Sequence, residues 1–368
     1  MVTLNNVSNL QEEVTVSENA FNILLGTGAQ VAGLEIGDTL TVEQLLYLTM
    51  VHSACDATEV LAEYVGGTRE NFVKMMNDYA ASLGCTNTNF ENPDGLHDDN
   101  HYTTASDLAK ITLDALKNST FTKIAYTVEY EYNGQNYYNT NLMLRRGYLS
   151  YYYEYAKGIK TGSTSEAGYC VITTASKDGY NYLAIVLGAP VIDYNNDGYV
   201  EKCSFIDAAT LFKWAFGSLK YSTVIEKNEV IDEVAVKNGK DADTLRLVAG
   251  EDVTAIVPNG LDRSNIVIKV KDKPAEVNAP VEKGDPICTA DIIYADQVVA
   301  EVQLVAADTV ELSTFLTVVN AIKDFFSLTA VKVVIVVVVL GAAVYIGLFI
   351  YKANKKKTKK RSADDGEE

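Results

Sequence analysis

The sequence predicts an α+β domain, followed by a small all-β domain and one transmembrane helix near the C-terminus. Three observations support this prediction: residues 43–117 show helical periodicity, strand-like runs rich in Tyr, Val and Ile follow, and residues 333–351 carry no charge. Helices first, strands next and a closing helix at 203–218 favour helices packed on an antiparallel sheet. The length of 368 residues corresponds to roughly two domains.

Three helices are predicted in the first third of the chain. Apolar residues recur at helical spacing over 43–65, where Thr41 stands at the N-cap position and two glycines follow the last turn. Further helices are expected over 69–82 and 104–117. The segment 86–102 between them is rich in Asn, Asp, Gly and Pro, which is typical of a loop. We interpret its two histidines as residues that pack the loop, namely His97 and His101.

Antiparallel strands are predicted in the middle of the chain and again beyond residue 221. Residues 124–140 and 167–188 contain Asn-Gly and Asp-Gly turns between Tyr-rich and Val-rich runs, which favours hairpins. The Tyr cluster at 148–155 fits either a substrate groove or ordinary packing. Residues 222–308 show short alternating runs and predict a small β-sandwich, with no catalytic cluster.

A membrane anchor is predicted from Val333 to Tyr351. These 19 uncharged residues span about 28 Å as a helix, close to the roughly 30 Å hydrocarbon core of a bilayer. The basic run KANKKKTKKR follows directly, and basic residues stay on the cytoplasmic side. We therefore expect a single-pass cell-membrane protein with an extracytoplasmic body and a cytoplasmic C-terminus. The predicted boundaries are 1–220 for the α+β domain, 221–310 for the β domain, 311–331 for a linker, 332–352 for the anchor and 353–368 for the tail.

Charge and composition exclude several classes of function. The net charge is −18, and its acidic excess lies before the anchor, so we expect no nucleic-acid binding. Five cysteines occur without a C-x-x-C pair and only three histidines are present, so we predict no metal site and no cofactor.

Two short motifs point to acyl-transfer chemistry. One is Ser53-Ala54-Cys55, and the other is Lys160-Thr161-Gly162 at the start of a predicted hairpin. Each motif is weak alone. Together, in this order, they approximate two parts of a serine acyl-transfer set that reads S-x-x-K, then S-x-N, then K-T-G.

The similarity extends well beyond these motifs. Residues 40–67, 72–111 and 157–190 resemble the serine D-alanyl-D-alanine carboxypeptidases, which are the low-molecular-mass penicillin-binding proteins of bacterial cell walls. Residues 279–306 resemble the C-terminal β domain of that family, and a C-terminal anchor also fits. The resemblance implies a penicillin-binding/β-lactamase-like transpeptidase fold. It further implies peptidoglycan stem peptides and β-lactams as binding partners.

The resemblance also implies roles for individual residues. Ser53 would relay a proton to the leaving amine, and Lys160 would be a fixed cation for the substrate carboxylate. Thr161 would hydrogen-bond that carboxylate, and Gly162 would let the substrate backbone approach the strand edge. Cys55 stands where the family usually has Asn, so its expected contact with substrate is altered. Pro190 stands about where some relatives have a carboxylate-binding arginine.

The S-x-x-K motif of the family is missing, because no lysine in the sequence has a serine three residues before it. The resemblance places that motif just before Met1, and the first 25 residues contain no export signal. We therefore expect residues to precede Met1 in the complete protein, and we expect this chain to be inactive as written. A peptidoglycan-binding protein that has lost its nucleophile remains an alternative. A serine β-lactamase is a third possibility, but the predicted β domain and membrane anchor argue against it.

Overall fold

The computed structural model describes residues 1–193, 196, 198 and 200–364, with side chains described as far as Lys352. The chain divides into two compact units, Met1–Leu219 and Lys220–Glu368. Part of the predicted tail, 365–368, lies outside the described residues.

Unit 1 contains eight helices and nine strands among its described residues. The helices are α1 (Val2–Asn6), α2 (Glu18–Asn22), α3 (Val42–Tyr47), α4 (Cys55–Gly66), α5 (Arg69–Ser82), α6 (Ala105–Ala115), α7 (Ser119–Ala125) and α8 (Cys203–Ser218). The strands are β1 (Glu13–Thr15), β2 (Thr39–Thr41), β3 (Glu129–Tyr132), β4 (Gln135–Tyr138), β5 (Ala156–Thr164), β6 (Gly168–Lys177), β7 (Tyr180–Ala189), β8 (Val191–Ile192) and β9 (Glu201–Lys202).

The centre of unit 1 is an antiparallel sheet in the order β5-β6-β7. Helix α8 packs on this sheet, because its apolar face meets side chains of β6 and β7 in one buried cluster that includes Val171, Ala184, Phe205 and Phe212. A second cluster joins α3 and α4 to the N-terminal segments. Among the described residues, strand β5 pairs with a strand on one side only, so its other edge can face a ligand.

The predicted helix over 43–65 is wrong in one respect. Helix α3 ends at Tyr47, a π-helical turn covers Leu48–His52, and α4 begins only at Cys55. Ser53 lies in the break with a φ of 62°, in the left-handed region. The apolar periodicity is continuous across the break, because the π turn keeps Leu48 and Val51 buried, so periodicity alone does not reveal it.

The other expected elements of unit 1 are mostly present. Helices α5 and α6 confirm the predictions over 69–82 and 104–117, and Thr68 and Thr104 cap their N-termini. Strands β6 and β7 confirm the hairpin over 167–188. The prediction of strands over 124–140 is wrong for the first residues, because α7 continues to Ala125. It is correct for the hairpin formed by β3 and β4.

Unit 2 is an all-β domain followed by two helices. Its strands are β10 (Leu219–Ile225), β11 (Val230–Lys237), β12 (Thr244–Ala249), β13 (Val253–Pro258), β14 (Val267–Lys271), β15 (Glu276–Asn278), β16 (Pro286–Tyr294) and β17 (Gln297–Ala306). Six of them form a sheet in the order β14-β16-β17-β12-β11-β15, and β10 pairs with β13. Their inward side chains form one core that includes Leu247, Ala290, Ile292 and Leu304.

The C-terminal helices are α9 (Thr314–Ser327) and α10 (Thr329–Asp364). Within α10, Thr329–Lys352 is long and apolar enough to cross a membrane, with a mean hydropathy of 3.0 and none of its best window buried. This helix fits the predicted membrane anchor.

Candidate active site

A groove in unit 1 brings together all five residues that the motifs predicted. Its volume is about 890 Å³, and its lining includes Ser53, Cys55, Lys160, Thr161 and Gly162. Ser53 lies in the break before α4, Cys55 is the first residue of α4, and the other three residues come from the edge strand β5. Elements more than a hundred residues apart in the sequence therefore form the two walls of one site.

Ser53 is presented to the groove by a backbone irregularity. The π turn ends at this residue, and its left-handed φ of 62° turns the chain before α4 starts. A non-glycine residue in this conformation costs about 1 to 3 kcal/mol and is common at functional sites. Ser53 accepts a hydrogen bond from the ammonium of Lys160, with 2.6 Å between Nζ and Oγ.

The side chain of Lys160, on strand β5, is held in place by two hydrogen bonds from its ammonium, one of which is the bond to Ser53. Its ammonium also donates to the carbonyl oxygen of Thr161 over 2.9 Å, and its residue pairs with Ile172 on β6. Burial lowers the pKa of Lys160 to about 8, because the charged form loses hydration. The amine thus lies near the point at which it can exchange a proton at neutral to mildly alkaline pH.

Thr161 and Gly162 complete the strand edge. The Thr161 hydroxyl donates to the Thr140 hydroxyl over 2.6 Å, which ties β5 to the segment before it. A Cβ placed on Gly162 would meet nothing within 4 Å, so the space beside this residue is open. An extended peptide can hydrogen-bond to such an edge as an added strand.

Cys55 has the properties of an unreactive thiol. It is 8% exposed, and its Sγ lies 4.0 Å from the carbonyl oxygens of Ser53 and Asp94. Burial, with help from neighbouring carboxylates, raises the pKa of Cys55 to about 11, so the thiolate is scarce at neutral pH. The neighbouring His52 packs edge-on against the ring of Tyr137.

One wall of the groove is held by a single carboxylate. Asp56 accepts hydrogen bonds from the backbone N–H groups of Ala32, Gly33 and Leu34 over 2.9, 2.9 and 3.0 Å. The preceding residues 28–30 line the groove. Asp56, which follows the Ser53-Ala54-Cys55 motif, therefore stabilises the wall of the groove and is not assigned a catalytic role.

Behind Cys55 lies an ionic cluster that the sequence analysis missed. Arg69 donates from Nε to both carboxylate oxygens of Glu59 over 3.0 and 3.1 Å, and its guanidinium lies 3.7 Å from Asp94. The two acidic side chains are only 2% and 1% exposed. No short motif marks this cluster, because its members come from two helices and a loop.

The motifs also missed residues that line the groove or lie next to it. Asn141 is fully buried and donates to the Gly158 carbonyl over 2.6 Å, which fixes the start of β5. Lys202 lines the groove and pairs with Val191, next to Pro190, and Arg145 lines it as well. Asn139 and Asn141 were the available sequence signal for a turn in this segment. The side-chain oxygen of each accepts a hydrogen bond from the backbone N–H of the residue two positions later.

The loop histidines and the tyrosine cluster have mainly packing roles. His101 lies edge-on to Phe90 at 5.6 Å and lines the groove, and His97 is 3.4 Å from Asp99. Tyr151, Tyr153 and Tyr155 pack in the core beside α8, as one of the two interpretations expected. In the part of the chain that the structure describes, no three His, Cys, Asp or Glu side chains could hold a metal ion.

The fold and the Ser53–Lys160 pair define a serine acyl-transfer protein of the class that includes penicillin-binding proteins and β-lactamases. The family model described as D-alanyl-D-alanine carboxypeptidase matches residues 3–191, and that of the penicillin-binding protein 5 C-terminal domain matches 220–312. The chain belongs to the D-alanyl-D-alanine carboxypeptidase family. The α+β fold with an all-β C-terminal domain, which the sequence predicted, is thereby confirmed.

Individual relatives agree with this assignment. The chain is 30% identical over 308 residues to the D-alanyl-D-alanine carboxypeptidase DacF of Bacillus subtilis, covering 84% of this chain and 75% of the relative. It is 29% identical over 307 residues to DacC of Escherichia coli, covering 82% and 72%. The solved structure of penicillin binding protein 5 from Haemophilus influenzae matches with a TM-score of 0.59 and 26% identity, covering 82% of this chain and 84% of that one.

Proposed function

We propose that this chain is the body of a membrane-anchored D-Ala-D-Ala carboxypeptidase that trims peptidoglycan stem peptides through an acyl-enzyme. The observation that supports this proposal best is the 2.6 Å hydrogen bond between Lys160 and Ser53 at the free edge of β5. An open strand edge can bind an extended peptide. A serine hydroxyl paired with a lysine beside that edge can transfer a proton to or from the end of the bound peptide.

The proposed roles follow from the positions of these groups. The stem peptide would lie along β5, where Gly162 leaves room for its backbone. The ammonium of Lys160 and the hydroxyl of Thr161 would bind the terminal carboxylate. Ser53, which already accepts a hydrogen bond from Lys160, would pass a proton to the nitrogen of the departing D-Ala when the scissile amide breaks.

The nucleophile itself is the open part of the proposal. No S-x-x-K stands in the sequence, and the raised pKa of Cys55 argues against that thiol as a substitute. The proposal therefore assigns the acylated serine to no residue of this sequence. The alternative is a peptidoglycan-binding protein without catalysis, and Cys55 in place of Asn fits this alternative.

The proposed location is the outer face of the cell membrane. The apolar segment of α10 would cross the bilayer once. The basic run after Lys352 would keep the C-terminus in the cytoplasm, since such residues resist translocation. The groove would then face the cell wall, where stem peptides and β-lactams are found.

Labelling with a fluorescent penicillin, combined with sequencing of the DNA upstream of the Met1 codon, tests this proposal. We expect no covalent adduct and no D-Ala release from the chain as written. If an in-frame upstream segment with S-x-x-K is found, the extended protein should form a long-lived adduct that Lys160→Ala abolishes. A stop codon directly upstream would instead support the binding protein without catalysis, and rapid penicillin turnover by the extended protein would indicate a β-lactamase.

A further inference from the structure

A loop of the groove wall, residues 92–96, has no regular secondary structure, and all of its residues line the groove. Its shape is fixed from within, because Asn92 accepts a hydrogen bond from the Gly95 N–H and donates one to the Leu96 carbonyl, each over 2.7 Å. These bonds do not tie the loop to the rest of unit 1. The contacts that do so therefore decide whether this part of the wall stays in place.

Asp94 is the ionisable residue of this loop, and it connects the loop to the helices behind the groove. Its side chain is 1% exposed, and its Oδ2 lies 3.7 Å from the guanidinium of Arg69 on α5. Its backbone carbonyl oxygen lies 4.0 Å from the Sγ of Cys55, the first residue of α4. The ion pair with Arg69 is thus the charged contact that holds the loop.

Arg69 is shared by two buried carboxyl groups. Its Nε donates to both carboxylate oxygens of Glu59 on α4 over 3.0 and 3.1 Å, and Glu59 and Asp94 are 2% and 1% exposed. If both carboxyls were ionised, the cluster would hold a net charge of −1 away from water, which is costly.

A second observation indicates that a proton is held in this cluster. The Oδ2 of Asp94 is buried and accepts no hydrogen bond in the part of the chain that the structure describes. Buried polar atoms are normally hydrogen-bonded. One proton on the Glu59–Asp94 pair would supply the missing donor and make the cluster neutral.

The electrostatics of Glu59 agree with this interpretation. Burial and hydrogen bonding with Asp94, opposed by Arg69, raise the pKa of Glu59 to about 7. Of the groups that face Asp94, burial lowers the pKa of His101 and raises that of Cys55 to about 11, so both are mainly neutral at pH 7.

The elements packed against α4 bring no other charged side chain that competes for this role. Helix α1 has no ionisable side chain, and the charged side chains of α5 other than Arg69 are exposed. The remaining charged or ionisable side chains on α4 and its neighbours are exposed or contact other groups, namely Glu13, Glu18, Glu43, His52, Asp56 and Glu63.

We infer that a proton shared by Glu59 and Asp94 holds the 92–96 loop in the groove wall, and that loss of this proton releases the loop. Arg69 remains with Glu59 through its two Nε contacts, so Asp94, which lies on the irregular loop, is the partner that moves. The closed loop binds the proton more tightly than the open loop, so closure is favoured at low pH and weakens as the pH rises through about 7. If the proposed function holds, the groove then binds its peptide less tightly at the higher pH.

Hydrogen exchange of the full chain in detergent, followed by mass spectrometry at pH 5.5 and pH 7.5, tests this inference without any ligand. Rates are corrected for the intrinsic pH dependence of exchange. We expect the amides of residues 92–96 to lose about 10-fold in protection between the two pH values, since linkage weakens closure by up to tenfold per pH unit. The turn of the β6–β7 hairpin, at Asp178-Gly179, is the internal reference and should keep its protection.

Two variants remove the titration from opposite sides of the pair. Glu59→Gln keeps a neutral donor beside Asp94 at every pH, and Asp94→Asn leaves Arg69 with a single carboxylate. Protection of the loop should be independent of pH in both variants, with melting temperatures showing that each is folded. Glu70→Gln is the matched control, because Glu70 is exposed and adjacent to Arg69 in the sequence, and it should show the wild-type loss.

Three results would overturn the inference and leave the proposed function standing. The first is equal protection of the loop at both pH values in the wild type. The second is a loss that persists in either folded variant, which would assign the effect to another group such as His101. The third is an equal loss at the β6–β7 turn, which would indicate general loosening of unit 1 rather than release of this loop.

Discussion

The ammonium of Lys160 donates a hydrogen bond to the hydroxyl of Ser53 over 2.6 Å, although 107 residues separate them in the sequence. Each partner is held by its own element: Ser53 by the left-handed break before α4, and Lys160 by the register of β5 with β6. The pair therefore exists before any ligand arrives, and a site preorganised in this way needs little rearrangement to act.

Peptide binding should weaken as Lys160 loses its proton. Burial lowers the pKa of Lys160 to about 8, so its charge is present at pH 7 and is lost as the pH rises through this value. The affinity for an acylated D-Ala-D-Ala peptide should fall between pH 8 and pH 10, as measured by calorimetry. Lys160→Arg keeps its charge over this range and should show a flat profile. A wild-type affinity that stays constant to pH 10 would contradict the assigned role.

Removal of the Asp56 carboxylate should loosen the groove wall. Asp56→Ala leaves the N–H groups of Ala32, Gly33 and Leu34 without their acceptor, and we expect a loss of about 3 kcal/mol in the free energy of unfolding. Hydrogen exchange at these three amides should accelerate. Asp38→Ala removes one exposed turn bond, to the Glu35 N–H, and should change stability by less than about 1 kcal/mol. Equal losses in the two variants would refute the special role of Asp56.

The Glu59 carboxyl should make the fold less stable as the pH rises. Burial, reinforced by Asp94 and opposed by Arg69, raises the pKa of Glu59 to about 7. Its pKa in the unfolded chain is about 4.3, so the folded state holds an extra proton between these values and loses stability as the pH rises through them. Relative to Glu59→Gln, the wild type should lose about 2 kcal/mol of unfolding free energy between pH 5 and pH 8 in urea denaturation.

Glu70→Gln is the control for that experiment. Glu70 lies in the first turn of α5, and hydrogen bonding to its own backbone holds its pKa below the ordinary value. Its substitution should have the same effect on stability at pH 5 and pH 8, because the carboxylate is ionised at both. A pH-independent difference between wild type and Glu59→Gln would show that the buried cluster stays ionised throughout.

The five thiols should react in an order set by exposure and pKa. The five cysteines form no disulfide; Cys170 is partly exposed in the groove, and Cys55 is buried with a pKa raised to about 11. Iodoacetamide at pH 8 should therefore alkylate Cys170 first and Cys55 much more slowly, as followed by peptide mass spectrometry. Rapid modification of Cys55 would reopen the possibility that this thiol is a nucleophile.

Much of the fold was predictable because its signals are local. The helices α5 and α6 begin at threonine N-caps, and the β6–β7 hairpin turns at Asp178-Gly179, where Asp178 has a positive φ. The break at Ser53 was not predictable from periodicity, since the residues on both sides of it remain buried. The energy that supports this break comes from contacts distant in sequence, among them the bond to Lys160.

The candidate site was predictable only where a short motif marks it. Ser53, Lys160, Thr161 and Gly162 stand in such motifs, and the structure places them around one groove. Arg145 and the Glu59–Arg69 pair carry no motif, because their environment is made by residues from separate elements. Arg145 became noticeable only when the structure showed the two tyrosine rings beside it.

The most direct test of the central claim is the binding of an N-acylated peptide ending in D-Ala-D-Ala, compared with the same peptide ending in L-Ala-L-Ala. Calorimetry on the full chain should show saturable binding of the D,D peptide and at least about 10-fold weaker binding of the L,L peptide. Lys160→Ala should abolish the difference. Equal binding of the two peptides, or an affinity unchanged in Lys160→Ala, would show that the groove between Ser53 and Lys160 is not a D-alanyl-D-alanine site.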